Sequence, residues 1–222
     1  MVDITRLFNK LTLKTEDTGK QFEMSICLAY GIDYVGKYKY PIIQDPRLEH
    51  LNDLFPGPLE HIAKNGSRYD FVSTSTMEYL SAKSTKAGDK ICPQVIGQAS
   101  KKKFRNFFGA PEDIKGYILD NINNLLNVYY QHTFDASIIF YNKKRDKLKF
   151  IKPIKDIDFD LLDLSFSRTR DTWNESNTLR LNATDTIGEF QVHNNRDCIK
   201  FRWNLEKILK LFPDHFTVSL II

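Results

Sequence analysis

Residues 68–105 read RYDFVSTSTMEYLSAKSTKAGDKICPQVIGQASKKKFR. The spacing predicts a strand carrying Asp70, then a second strand from Met77 to Ser84 with Lys83 near its end. A glycine-containing turn follows at Ala87–Lys90, and a helix is expected to open at Pro93, because proline suits a first helical turn. Strand residues two apart share a face, so Ser81 and Lys83 point one way with Tyr79 behind them. Glu78, Leu80 and Ala82 point the other way. A carboxylate at the end of one strand, facing a lysine on its neighbour, can hold a divalent cation beside an activated water. Such an arrangement suits phosphodiester hydrolysis.

Outward from this stretch, 222 residues are enough for one substantial core and short for two. A hydrophobic content of 41% fits a globular protein, and no apolar run approaches the ~18 residues needed to span a bilayer. The first twenty residues, MVDITRLFNKLTLKTEDTGK, lack the apolar core of a signal peptide. Cys27, Cys92 and Cys198 are far apart with no CxxC, which argues against a disulfide framework and a cysteine zinc site. Free thiols without an export signal point to the cytoplasm, and no membrane partner is expected. The net charge of +4 is unevenly placed: Lys64–Arg105 holds nine Lys or Arg against three Asp or Glu, a local +6. A polyphosphate partner would demand such an excess, although a solubilising surface also accounts for any single lysine.

Upstream, Thr18 and Gln21 match a capping box, and a helix over 18–30 would bury Phe22, Ile26 and Ala29 or Tyr30, leaving Glu23 at the edge of that stripe. Residues 31–44 look like a loop or short hairpin rich in tyrosine and lysine. Asp45-Pro46 starts a helix with Leu48, Leu51 and Phe55 as its apolar stripe, and Pro56-Gly57-Pro58 breaks it. A short helix around 59–64 is expected to end at Asn65-Gly66. Downstream, the Pro93 helix would run to Gly109-Ala110-Pro111, with Lys101, Lys102, Lys103 and Arg105 along its latter half and Phe104, Phe107 and Phe108 anchoring it. That face is either a stiff platform for phosphates or an ordinary solvated surface. A long helix over Glu112–Tyr130 and a hairpin pairing Phe134–Tyr141 with Leu148–Ile154 follow. The acidic run at 156–165 would lie away from any phosphate.

Residues 187–203, IGEFQVHNNRDCIKFRW, predict two strands joined by a turn near Asn194–Asp197. Phe190, Val192, Ile199, Phe201 and Trp203 would face inward, placing Gln191, His193, Lys200 and Arg202 on one polar face. A two-stranded ribbon fits a major groove, where Gln or Asn can pair with adenine and Arg or Lys with guanine. Gln191, His193, Lys200 and Arg202, with Asn194, Asn195 and Arg196 at the turn, are therefore candidate DNA contacts. An ordinary hairpin with a wet face fits the same residues. Arg168 and Arg170 are weaker candidates. A helix around 204–212 and a strand FTVSLII complete a single domain over 1–222.

The Asp70…Ser81-x-Lys83 arrangement resembles the core of PD-(D/E)XK nucleases, most closely the type II restriction endonucleases. Glu23 on the upstream helix strengthens the resemblance, which spans about Thr18–Arg105. It implies an α/β fold: a central mixed sheet flanked by helices, a catalytic core over about 18–108 and an added β-hairpin region, with DNA reading at about 133–222. It also implies a Mg2+-dependent, site-specific deoxyribonuclease. Asp70, the Ala82 carbonyl and Glu23 would hold the metal, while Lys83 would orient the attacking water beside Ser81. Double-stranded DNA, a second copy of the chain in a homodimer and a cognate DNA methyltransferase are the partners implied. The sequence departs from the pattern at Tyr69, where proline is usual, and at Ser81, where a carboxylate is usual. Gln94 and Gln98, further candidate contacts, stand where a compensating glutamate would come. Two other readings stay open: a structure-selective nuclease of the same superfamily, and a non-catalytic DNA-binding protein on a decayed core. No GxxxxGK[ST] or GxGxxG loop indicates nucleotide use.

Overall fold

The computed structural model describes residues 15–37, 40, 42, 44–64 and 67–222. Helix α1 (Thr15–Ala29) is followed by a 3-10 helix at Pro46–Asp53, with Asp45 accepting from the Arg47 N–H as its N-cap. Short strands β1 (Leu59–His61) and β2 (Phe71–Ser73) lead to β3 (Tyr79–Thr85). Then come β4 (Lys90–Ile91), β5 (Gln98–Ala99) and helices α2 (Lys101–Phe108), α3 (Ile114–Asp120) and α4 (Ile122–Phe134). The remainder is β6 (Ser137–Asn142), β7 (Lys147–Pro153), β8 (Leu164–Phe166), β9 (Ser176–Leu181), β10 (Asp185–Val192), β11 (Ile199–Asn204), α5 (Leu205–Leu211) and β12 (Phe216–Ile221).

The first sheet has the order β1-β2-β3-β6-β7-β12. It is mixed because β3 and β6 pair in parallel while the other pairs are antiparallel. A parallel pair needs a crossover, and α4, entering directly into β6, supplies its last leg. Helix α1 packs Phe22 and Ile26 on the face that carries Leu80, Ala82, Ile139 and Phe150. The opposite face, with Ile138, Phe140 and Ile151, shares a core with α4. That core continues into a second sheet, ordered β4-β11-β10-β9-β8 with β5 also on β11. Tyr129 of α4 stacks on Phe201 at 4.5 Å, and Trp203 Nε1 donates to Thr133 Oγ1 at 2.9 Å.

The mixed α/β architecture agrees with expectation, as do the inward ribbon residues Phe190, Val192, Ile199, Phe201 and Trp203. The C-terminal region is a second sheet rather than an appended hairpin, because β8 and β9 flank the ribbon on one side and β4 and β5 on the other. Other boundaries also move. Thr18 and Gln21 are buried inside α1, which already runs from Thr15, so they do not cap it. Residues 59–61 are a strand, since Leu59 and His61 alternate inward against β2. The expected long helix breaks at Asn121, whose Nδ2 donates to the Tyr117 carbonyl and competes with the helical ladder. The proposed turn at Asn65-Gly66 and parts of the tyrosine-rich 31–44 loop lie outside the described residues. Among the described residues no helix is long and apolar enough to cross a membrane.

The helix expected at Pro93 begins eight residues later. Ile96 N–H donates to the Gln94 carbonyl at 2.6 Å across a tight turn that holds Val95 at a φ of 61°. Gly97 follows so closely on Pro93 that a Cβ would lie 2.4 Å from its carbonyl oxygen. Gln98 and Ala99 then pair with Lys200 and Ile199, and Ser100 caps α2 by accepting from the Lys103 N–H.

Candidate active site and nucleic-acid cleft

Asp70 sits one residue before β2, its N–H donating to the Leu80 carbonyl and its own carbonyl accepting from Ile62. Pairing between β2 and β3 reaches only Phe71 with Leu80, so β3 runs on past the start of its neighbour. In the opening, the Ala82 N–H donates to Asp70 Oδ2 at 2.7 Å. The N–H and C=O of a strand residue leave on the same edge, so the Ala82 carbonyl faces that opening too. Burial pushes the Asp70 carboxyl up to about 6; Lys83 opposes the rise, Glu23 adds to it, and the Ala82 N–H opposes it. Burial lowers Lys83, with Asp70, Cys92 and Glu23 acting the other way. Each side chain thus favours the charged form of the other against the effect of burial. Perturbation by burial plus a specific partner is what catalytic groups require.

Glu23 arrives from α1, and its influence on both Asp70 and Lys83 places it in the same field. His61, fully buried in β1, brings Nε2 to 3.4 Å from Glu23 Oε2. Its ring lies between Tyr34 and Phe71, at centroid distances of 4.7 and 5.0 Å. On β3, Ser81 is buried and its Oγ accepts from Gln94 Nε2 at 2.8 Å. Gln94 is held in turn by its N–H, which donates to the His132 carbonyl at 2.8 Å. Gln94 is therefore held in place as a neutral amide bonded to the serine.

Among the described residues no three His, Cys, Asp or Glu side chains converge as a metal site. The oxygens that could serve a cation there are hard ones: the Asp70 carboxylate and the Ala82 carbonyl, with the Glu23 carboxylate close enough to act on the ionisation of Asp70. They fit a magnesium-like cation that completes its shell with water and phosphate oxygens.

From Lys83 a cleft of about 800 Å³ opens between the sheets. Lys83 of β3 and Lys86 line it from the first sheet and the turn after it, while Lys90, Gln98, Lys200 and Arg202 line it from the second sheet. Glu189 holds two of these cations, pairing with Lys90 and with Arg202. Lys86 and Lys200 make no ion pair among the described residues. The wall near Lys86 is tied down by Asn142, whose Nδ2 donates to the Gly88 carbonyl and to Asp89 Oδ1 at 2.8 and 2.9 Å.

This chain is similar to a restriction enzyme. It is 44% identical over 221 residues to the protein named Type II restriction enzyme CviAII from Paramecium bursaria Chlorella virus 1. The match covers 94% of this chain and 64% of that protein, so the chain spans under two thirds of the length of its relative. No family model matches the chain, and no solved structure matches it significantly.

The structure thus joins Asp70 to Ala82 and Ser81 to Gln94, sets Lys83 and Glu23 near enough to act on the ionisation of Asp70, and sets Gln98, Lys200 and Arg202 along the cleft that Lys83 also lines. It does not bring the rest of the ribbon there. Gln191 donates to Ser176 Oγ and accepts from Arg202. His193 is mostly covered and lies 3.6 Å from Glu175, and Asn194 bonds to Asn174 and Glu175. Asn195 and Arg196 are exposed on the turn beyond them. Arg170 is paired with Asp113 and Arg105 with Glu112. Lys101, Lys102 and Lys103 form the first turn of α2. Cations there oppose the helix dipole, a local cost that a phosphate partner would offset. Phe107, expected as an anchor, is half exposed, and only Phe104 of the three phenylalanines is fully buried. Sequence reasoning missed His61, Lys86, Lys90 and Glu189. Strand alternation places Glu189 with Gln191, so it was findable, whereas nothing near His61 marks it.

Proposed function

We propose that this chain is a Mg2+-dependent type II restriction endonuclease that hydrolyses phosphodiester bonds of double-stranded DNA at a specific short sequence. The observation that carries the reading is the Asp70–Ala82–Lys83 arrangement at the end of a cleft whose far wall is the basic strand β11. The 44% identity to a protein named as a type II restriction enzyme supports it. Residues 1–222 act as one nuclease domain, with the core over about 18–108 and DNA reading over about 133–222. The active form is a homodimer in the cytoplasm, because a two-fold protein matches a palindromic site most simply, and a DNA methyltransferase protects the host sequence.

Asp70, the Ala82 carbonyl and Glu23 hold the cation. When bound, it lowers the pKa of a coordinated water and stabilises charge on the phosphate. Lys83 orients the attacking water and offers its ammonium to the developing negative charge. Lys86, Lys200 and Arg202 neutralise phosphates of the duplex in the cleft, and Arg202, fixed by Glu189, presents donors to a base edge. A non-catalytic DNA-binding role on a decayed core is the second reading, favoured by the neutral Ser81–Gln94 pair where an acid is usual. Incubating the chain with mixed-sequence plasmid, in Mg2+ and then in EDTA, separates them. Discrete fragments in Mg2+ that disappear in EDTA and in Lys83→Ala support the proposal. Binding without cutting overturns it in favour of the second reading.

A further inference from the structure

We propose that His61 is a positioning residue for Glu23, fixing the carboxylate that serves the cation in the nuclease reading, on which this inference rests. The His61 side chain has no exposed surface, yet its Nε2 has no hydrogen-bond partner among the described residues. Its other ring nitrogen is committed: Nδ1 accepts from the Val35 N–H at 3.0 Å. An acceptor at Nδ1 leaves the proton of a neutral imidazole on Nε2. That nitrogen lies 3.4 Å from Glu23 Oε2, slightly beyond hydrogen-bond length.

A buried donor without a partner in native structure calls for an explanation. The ring cannot swing to find another acceptor, because Tyr34 stacks on it and Phe71 tilts against it. Backbone pairing of β1 with β2 puts His61 opposite Phe71, next to Asp70, so the imidazole is rooted in the same strands as the site. A small shift of the Glu23 carboxylate closes the 3.4 Å gap to a hydrogen bond. His61 thus selects one carboxylate rotamer and leaves the second oxygen of Glu23 for the opening beside Asp70. Outer partners of this kind commonly alter metal affinity about 10–100-fold when removed.

The test compares His61→Phe, which keeps a ring between Tyr34 and Phe71 but no donor, with His61→Gln, whose amide restores a donor near the Nε2 position. Both leave the Val35 N–H without its acceptor, so their difference isolates the bond to Glu23. Calorimetric titration with MgCl2, on variants whose melting matches the wild type, should show about tenfold or weaker binding for His61→Phe. His61→Gln should return most of that affinity. Equal affinity of His61→Phe and wild type overturns the inference while leaving the nuclease reading standing. A wild-type chain that neither takes up Mg2+ nor cuts plasmid overturns both. Imidazole 15N shifts of the wild-type chain give an answer that needs no variant to fold: a proton on Nε2 is expected, and a proton on Nδ1 overturns the inference.

Discussion

At the scale of single residues, the site turns on a carboxylate that the fold makes hard to ionise. Asp70 has its pKa raised to about 6 chiefly by burial, with Lys83 opposing the rise and Glu23 adding to it. Because the folded value exceeds the unfolded one, the stability this group contributes is complete below the unfolded pKa and is lost as pH rises through about 6. A cation bound to the ionised carboxylate restores that stability, and below about pH 6 protons compete with it. We therefore expect Mg2+ to raise the melting temperature at about pH 8 and to have little effect at about pH 5. Apparent Mg2+ affinity should fall by about tenfold per pH unit below about 6. Calorimetric melts across that range check this, and an identical Mg2+ effect at both pH values in the wild type, or the same pH dependence in Asp70→Asn, would count against Asp70 as a ligand. That Ser81 and Lys83 share a face of one strand while Asp70 opens its neighbour was legible from strand alternation, and their choice as candidates came from the family resemblance. His61 was not legible, since its role depends on the β1–β2 register and on an N–H contributed by Val35.

At the scale of elements, local chemistry decided which predictions survived. The apolar stripes of α1 and α4 and the alternation of β10 and β11 carry long-range burial, and they were readable. Starts and stops were not, because they depend on particular hydrogen bonds: Ser100 to the Lys103 N–H, Asp197 Oδ1 to the Lys101 N–H, and Asn121 to Tyr117. The result is an eight-residue α2 whose first turn is three lysines with no acidic residue. Replacing Lys101, Lys102 and Lys103 with alanine should have opposite effects on fold and function. Relief of the dipole conflict should stabilise the chain by roughly 0.3–1 kcal/mol per lysine. Duplex binding should weaken for all sequences, and its salt slope should flatten by ~0.9 for each phosphate no longer neutralised. Urea titrations and salt-dependent binding measure the two effects separately. An unchanged salt slope would return the three lysines to an ordinary solvated face.

At the scale of the whole molecule, the cleft belongs to neither sheet alone. One wall is β3 of the first sheet and the other is β11 of the second, with the shared core around α4 holding them together. Strand alternation put Gln191, His193, Lys200 and Arg202 on one polar face, but Gln191 is engaged with Ser176 and His193 lies against Glu175, and of the four it is Lys200 and Arg202 that line the cleft with β3. The sequence could not show this, because β4 and β5, which bring the 90–99 stretch alongside β11, are only two residues each. If duplex DNA lies between the walls, one cation from each should contribute independently. Lys86 and Lys200 are suited to the test, since neither is spent on an ion pair among the described residues. Lys86→Ala and Lys200→Ala should each weaken duplex affinity and flatten the salt slope by ~0.9, and the double variant should show the sum, as expected for sites without shared partners. Mg2+ affinity should be unchanged in all three, because neither side chain offers a ligand to the cation. Should Lys86→Ala alone weaken binding, the duplex touches only the first sheet, and the second sheet's part in DNA recognition would have to be abandoned.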